Sequence, residues 1–197
     1  MMVSADIYPS LGRWWFAFRI LPVPFSLNAV RVVIPHKPCA AVWFEFPMTK
    51  ETSDVPLPTH RYVPGFSPRH HDQWFDEIKA SVTAKTPIEQ LHQTLAFRAG
   101  RAYYAQGYYW ECHEVLDVVW VQTKDPSAER DLVLAMIQLA NARLKILMNQ
   151  PRPAWRLCDI VETRLSRCPK DRAILGVHAS DMQSLVSEAR VAAKDAM

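Results

Sequence analysis

Residues 108–120 read YYWECHEVLDVVW, with His113, Glu114 and Asp117 among the ionisable side chains inside a segment otherwise suited to a hydrophobic core. On a helical wheel of about 100 degrees per residue, Tyr108, Tyr109, Cys112, Val115, Leu116, Val119 and Trp120 cover an arc of roughly 140 degrees. Trp110, Val118 and Val121 extend the apolar surface round the other side. A helix that is apolar nearly all round is a buried helix. His113 and Asp117 then stand one turn apart at the edge of the main core face, with Glu114 further round. An unpartnered carboxylate in such a setting costs several kcal/mol, so neighbouring helices are expected to supply partners.

The flanking sequence predicts those neighbours. Thr86-Pro87-Ile88-Glu89 carries a capping-box pattern with proline at the first helical position. It predicts a helix whose face runs through Leu91, Leu95, Ala99 and Ala102 to a stop at Gly107. The helix carrying the quoted stretch covers about 108–122. Asp125 and Pro126 open a third, with Val133, Met136, Ile137, Ala140, Leu144 and Leu147 on its core side, ending near Met148. A fourth runs from Pro153 to Arg167 through Leu157, Ile160, Val161 and Leu165. A fifth opens at Ser180, with Gln183 completing a second capping box. No alternating strand pattern competes after residue 86, and the expected fold is all-α, a compact antiparallel helical bundle over 86–197.

Residues 48–85 form an extended proline-rich N-terminal arm. Pro56, Pro58, Pro64 and Pro68 exclude a continuous helix, and Pro64-Gly65 marks a turn. Tyr62, Val63 and Phe66 are expected to fasten the arm to the core, and 71–81 to contain a short helix. Residues 1–47 are apolar but interrupted by arginines and prolines. They lack the ~20 continuous apolar residues of a membrane span and the layout of a signal peptide. The economical expectation is a native start at Met48 with a poorly packed extension before it; the Trp14-Trp15-Phe16 cluster leaves an interfacial anchor as the other reading.

Among the chain's 197 residues, 49% are hydrophobic and 22% charged, with a formal net charge of +3. These values fit an ordinary soluble domain and give no basis for nucleic-acid binding. Cys39, Cys112, Cys158 and Cys168 never fall at C-x-x-C spacing, so reduced thiols in the cytoplasm are expected rather than a disulfide or zinc framework.

Arg143 falls within the inward arc of the third helix, where its planar guanidinium can meet Asp117 or Glu114. The alternatives are that it snorkels outward, with Arg98 or Arg101 in its place. The stretch begins like H-E-x-x-H, but Asp117 stands where the second histidine would be. His113 and Asp117 would give a metal two ligands, and none of His60, His70, His71, His92 or His178 stands at a spacing that selects it as a third. A di-iron site needs Glu-x-x-His on two helices; ECHE, with Glu111 two residues from His113, only approaches that pattern and has no second copy. Acid–base chemistry needs only His113 with a carboxylate beside it. The plainest alternative is an internal hydrogen-bond brace. The expected role is binding of a small ligand or a partner protein through His113, Glu114, Asp117, Trp120 and Arg143, with no cofactor assigned. The rival is a hydrolase-like enzyme using His113 with Glu114 or Asp117 and, in one version, a metal ion.

The motif GYYWECHEVLDVVW, followed by ERDLVLAMIQLANARLKILMNQPRPAWRLC, resembles the bacterial domain of unknown function 309 family. That family's signature is an aromatic entry into His-Glu, two residues, an acid, two residues and Trp, here His113, Glu114, Asp117 and Trp120. Arg61–Pro68 is similar to a proline-rich leader of some members. The resemblance covers about Leu57 to Cys168. Asp117 replaces the more usual glutamate and shortens the reach by one methylene. The resemblance implies an all-helical fold and brings no assigned reaction.

Overall fold

The computed structural model describes residues 54–197. The expected extension over 1–47 and the start at Met48 lie outside the described residues. From Asp54 to His71 the chain is irregular, and the first turn of the arm has the predicted form. Phe66 N–H donates to Val63 O at 2.9 Å, with Gly65 at φ +84°, the left-handed position that a type II turn requires after proline. Tyr62 and Val63 pack against the core, whereas Phe66 is 64% exposed. A 3-10 turn, Asp72–Phe75, runs into a single α-helical turn, α1 (Asp76–Lys79).

The first long helix differs from its predicted start. Ile88–Gln93 is a 3-10 segment, and the α-helix α2 spans Leu95–Ala105. Thr94 has extended backbone and its hydroxyl accepts from Phe97 N–H, so Thr94 is the cap. Thr86 Oγ1 is engaged elsewhere, accepting from Thr83 N–H at 2.9 Å in the preceding turn. The end is as predicted. Gly107 sits at φ +81°, Tyr108 N–H donates to Tyr103 O and Gly107 N–H to Tyr104 O, a Schellman closure.

Helix α3 (Tyr109–Gln122) carries the quoted stretch, followed by α4 (Ala128–Leu147), α5 (Pro151–Leu165) and α6 (Ala179–Asp195). Ser127, not Asp125, caps α4, its hydroxyl accepting from Arg130 N–H. Helix α5 starts at Pro151 rather than Pro153, since proline is tolerated in a first turn where its missing N–H has no partner to lose. His178 precedes α6, so the Ser180–Gln183 box falls inside the helix and is not used. No β-strand is formed among the described residues, and the predicted all-α packing of helix on helix is observed.

Neighbouring helices pack in sequence, α2 on α3, α3 on α4, α4 on α5 and α5 on α6, and α6 also returns to α4. Each buries one stripe. In α5 that stripe is Ala154, Leu157, Cys158, Val161 and Leu165, which leaves Ile160 on the water side. In α4 the stripe ends at Leu144, and Leu147 is exposed. Helices α2 and α3 approach closely at Gly100: a Cβ there would lie 2.5 Å from Leu116 Cγ. Leu116 is fully buried, so the absent side chain sets the spacing of the two helices. No described helix is long and apolar enough to cross a membrane.

Candidate functional site

Helix α3 buries Trp110, Glu111, Cys112, Val115, Leu116 and Val119. His113, Glu114, Asp117 and Trp120 stand at the border of this surface, each half-buried. His113 Nε2 lies 3.2 Å from Asp117 Oδ2, and the two side chains are 21% and 34% exposed. The other ring nitrogen, Nδ1, lies 2.9 Å from Asn141 Oδ1 of α4. Both contacts are to oxygen atoms, a pattern that suits donation from both ring nitrogens and so favours the positively charged ring. Burial works against that charge, but the hydrogen bond and charge of Asp117, the hydrogen bond of Asn141 and the charge of Glu114 outweigh it and hold the His113 pKa above its ordinary value.

The remaining predicted residues take separate partners. Glu114 Oε1 accepts from Lys79 Nζ at the end of α1. Arg143 pairs with Glu188 of α6 at 3.1 Å and turns away from both α3 carboxylates, toward Tyr104 and Tyr109. Burial, the largest influence on either phenol, pushes both tyrosines above their usual range, while the Arg143 charge pulls the other way. The Arg130 guanidinium lies 4.0 Å from the centre of the Trp120 ring and donates to the Trp120 and Thr123 carbonyls at 3.2 and 3.0 Å. It thereby places a cation on the carbonyls at the C-terminal end of α3. The five residues therefore form one close pair, His113–Asp117, and three separate contacts around it.

The most deeply buried acid of the stretch is Glu111, with no exposed surface. It sits above Val115 and Val119 on one row of α3, and both of those are also fully buried. That spacing is the signal in the sequence for its burial. Its partners come from the arm: Tyr62 N–H and His70 Nε2 each lie 2.6 Å from Glu111 Oε1. Oε2 is buried without a hydrogen bond. His70 is stacked on His60, ring centres 4.3 Å apart, and meets Phe75 edge-on; Arg69 lies over the Trp110 ring. Through these two contacts the Glu111 side chain, set in an aromatic surround, fixes the irregular arm onto α3.

Chemically, the α3 border offers an imidazole held at both nitrogens, the second oxygen of Asp117, the amide nitrogen of Asn141 and the Glu114–Lys79 pair. His113 and Asp117 would be two donors for a metal, but among the described residues no group of three or more His, Cys, Asp or Glu is gathered that could hold one. Burial raises the Cys112 thiol far above its usual range, with Glu111 adding to the effect, so it is an inert core residue.

Residues 97–157, from the first turn of α2 to the second turn of α5, match the model of the family described as Domain of unknown function (DUF309). This match supports the resemblance to that family. No curated protein and no solved structure matches the chain.

Proposed function

From a DUF309-family segment over residues 97–157, we propose that the chain is a bacterial cytoplasmic binding protein, and that the His113–Asp117–Asn141 group takes a small polar ligand. One observation carries this reading: the imidazole is held from both sides, at Nε2 by Asp117 and at Nδ1 by Asn141, at a half-exposed position. A ring with both nitrogens occupied has no lone pair to accept a proton, which a general base needs. It does lock the remaining carboxylate oxygen and amide nitrogen into a fixed acceptor–donor pair, the means by which a polar ligand is oriented. The hydrolase-like reading, with or without a metal, requires one of these ring contacts to open first and is the less supported. Cys112, Cys158 and Cys168 are buried free thiols, in keeping with a reducing compartment.

A thermal-shift screen of the full chain against a panel of polar metabolites tests the proposal. A ligand that stabilises the wild type and loses its effect in both His113→Ala and Asn141→Ala is expected. If every ligand shifts the three proteins equally, the group has no role in binding.

A further inference from the structure

A second site lies away from the α3 border. The 3-10 segment Ile88–Gln93, the first turn of α4 and the loop before α6 enclose a half-open cleft of about 310 Å³. Its apolar lining is Ile88, Ile174 and Leu175. Its charged lining is Glu89, Glu129 and Arg172, with His92 beside Glu89. None of the residues of the α3 group lines it.

The loop wall is built rather than slack. Ile174 and Val177 exchange both backbone hydrogen bonds at 2.9 Å, and the two residues between them, Leu175 and Gly176, have φ of +49° and +74°. Two left-handed residues between a bonded pair make a type I′ turn, for which glycine and asparagine are the favoured occupants. Leucine at the first place is disfavoured by its Cβ. It is nonetheless held there, its side chain almost wholly buried in the core cluster while still reaching the cleft. Backbone kept in such a conformation by its surroundings gathers at ligand clamps.

The charges around the cleft are of both signs, yet among the described residues none of the ion pairs includes Glu89, Glu129 or Arg172. Carboxylates and a guanidinium that share one concavity without neutralising each other leave complementary places for a ligand carrying both charges. The guanidinium suits a carboxylate, which it can hold through two parallel hydrogen bonds. The glutamates suit an ammonium, and the apolar lining suits a hydrocarbon side chain. At water's share of about 30 Å³ each, the space admits about ten non-hydrogen atoms. We propose that this cleft binds a free α-amino acid with an apolar side chain, of the size of leucine or phenylalanine.

Calorimetric titration of the full chain with L-leucine, L-phenylalanine, N-acetyl-L-leucine and L-leucinamide provides the test. Saturable binding of at least one of the two free amino acids is expected, weakened about tenfold or more when either leucine end is blocked, a loss of about 1.4 kcal/mol. Arg172→Gln, at an exposed position that does not endanger folding, should weaken the free amino acid by a similar factor and leave leucinamide unchanged. His113→Ala should leave the affinity unaltered, which separates this cleft from the α3 group. The proposal is overturned by any of four results: no saturable heat from either amino acid up to on the order of 10 mM, well past the millimolar range that marks weak binding; equal binding of the blocked forms; an Arg172→Gln variant with wild-type affinity; or loss of binding in His113→Ala.

Discussion

His70 Nε2 and Glu111 Oε1, 41 residues apart in the chain, meet at 2.6 Å in a fully buried contact. The same carboxylate oxygen accepts from Tyr62 N–H, so one α3 side chain holds two points of an arm that has little regular structure of its own. Replacing Glu111 by alanine leaves a buried histidine N–H and a backbone N–H without an acceptor. The expected loss is about 3 kcal/mol, within the range for breaking one side of a buried charged contact. Glu111→Gln retains a carbonyl acceptor and should cost about half as much. Urea unfolding measures both. Trypsin cleavage at exposed Arg61 and Arg69 should accelerate in the alanine variant before global unfolding does; unchanged cleavage together with a loss under 0.5 kcal/mol would refute the clamp, that being the scale of an ordinary surface change.

The spacing of α2 and α3 yields a second expectation. A methyl group at Gly100 would overlap the buried Leu116 side chain, and overpacking of this kind costs about 1–3 kcal/mol, against a smaller gain from better helix propensity. Gly100→Ala should therefore destabilise the protein despite lying in mid-helix. Shortening the neighbour, in Gly100→Ala with Leu116→Val, should recover part of the loss. Strict additivity of the two changes in a double-mutant cycle would show that they do not share the space.

At the other end of α3, Arg130 both covers the Trp120 ring and donates to two carbonyls. Lysine has the charge but not the planar fork, so Arg130→Lys should lose most of what Arg130→Ala loses, on the order of 1–2 kcal/mol. Thermal unfolding of the pair tests this. A lysine variant as stable as wild type would mean that charge alone accounts for the contact.

These contacts show where sequence reading succeeds and where it stops. Gly107 ends α2 because a left-handed residue closes the Schellman hydrogen bonds, a need that glycine meets cheaply and announces by its identity. The start of the same helix misleads: Thr86-Pro87-Ile88-Glu89 has a capping-box pattern, but Thr94, which lacks a glutamate three residues later, is the cap used. His113 and Asp117 are visible as a pair because one turn of helix brings them together whatever the tertiary fold. Arg143 points inward as its arc implies, yet its partner Glu188 lies on α6, and no local periodicity selects among distant carboxylates. Glu111 could have been recognised as buried from Val115 and Val119 in its row. Its partner His70 could not, because the arm that carries it has no repeating geometry from which to project a side chain.

The raised pKa of His113 gives the last prediction a definite sign. A group that binds its proton more tightly when folded stabilises the fold most at low pH, below its unfolded pKa near 6.5. That contribution is lost as pH rises through the higher folded value. The stability difference between wild type and His113→Gln should thus be largest near pH 5.5 and shrink steadily toward pH 9, by on the order of 1 kcal/mol or less, since the His113–Asp117 pair is partly exposed and screened. Urea unfolding of both proteins across this window measures it, and Asp117→Asn, which removes the charge but retains an oxygen, should flatten the curve. A difference that grows with pH would mean that His113 is held neutral by its surroundings. The imidazolium on which the proposed polar site is built would then be ruled out.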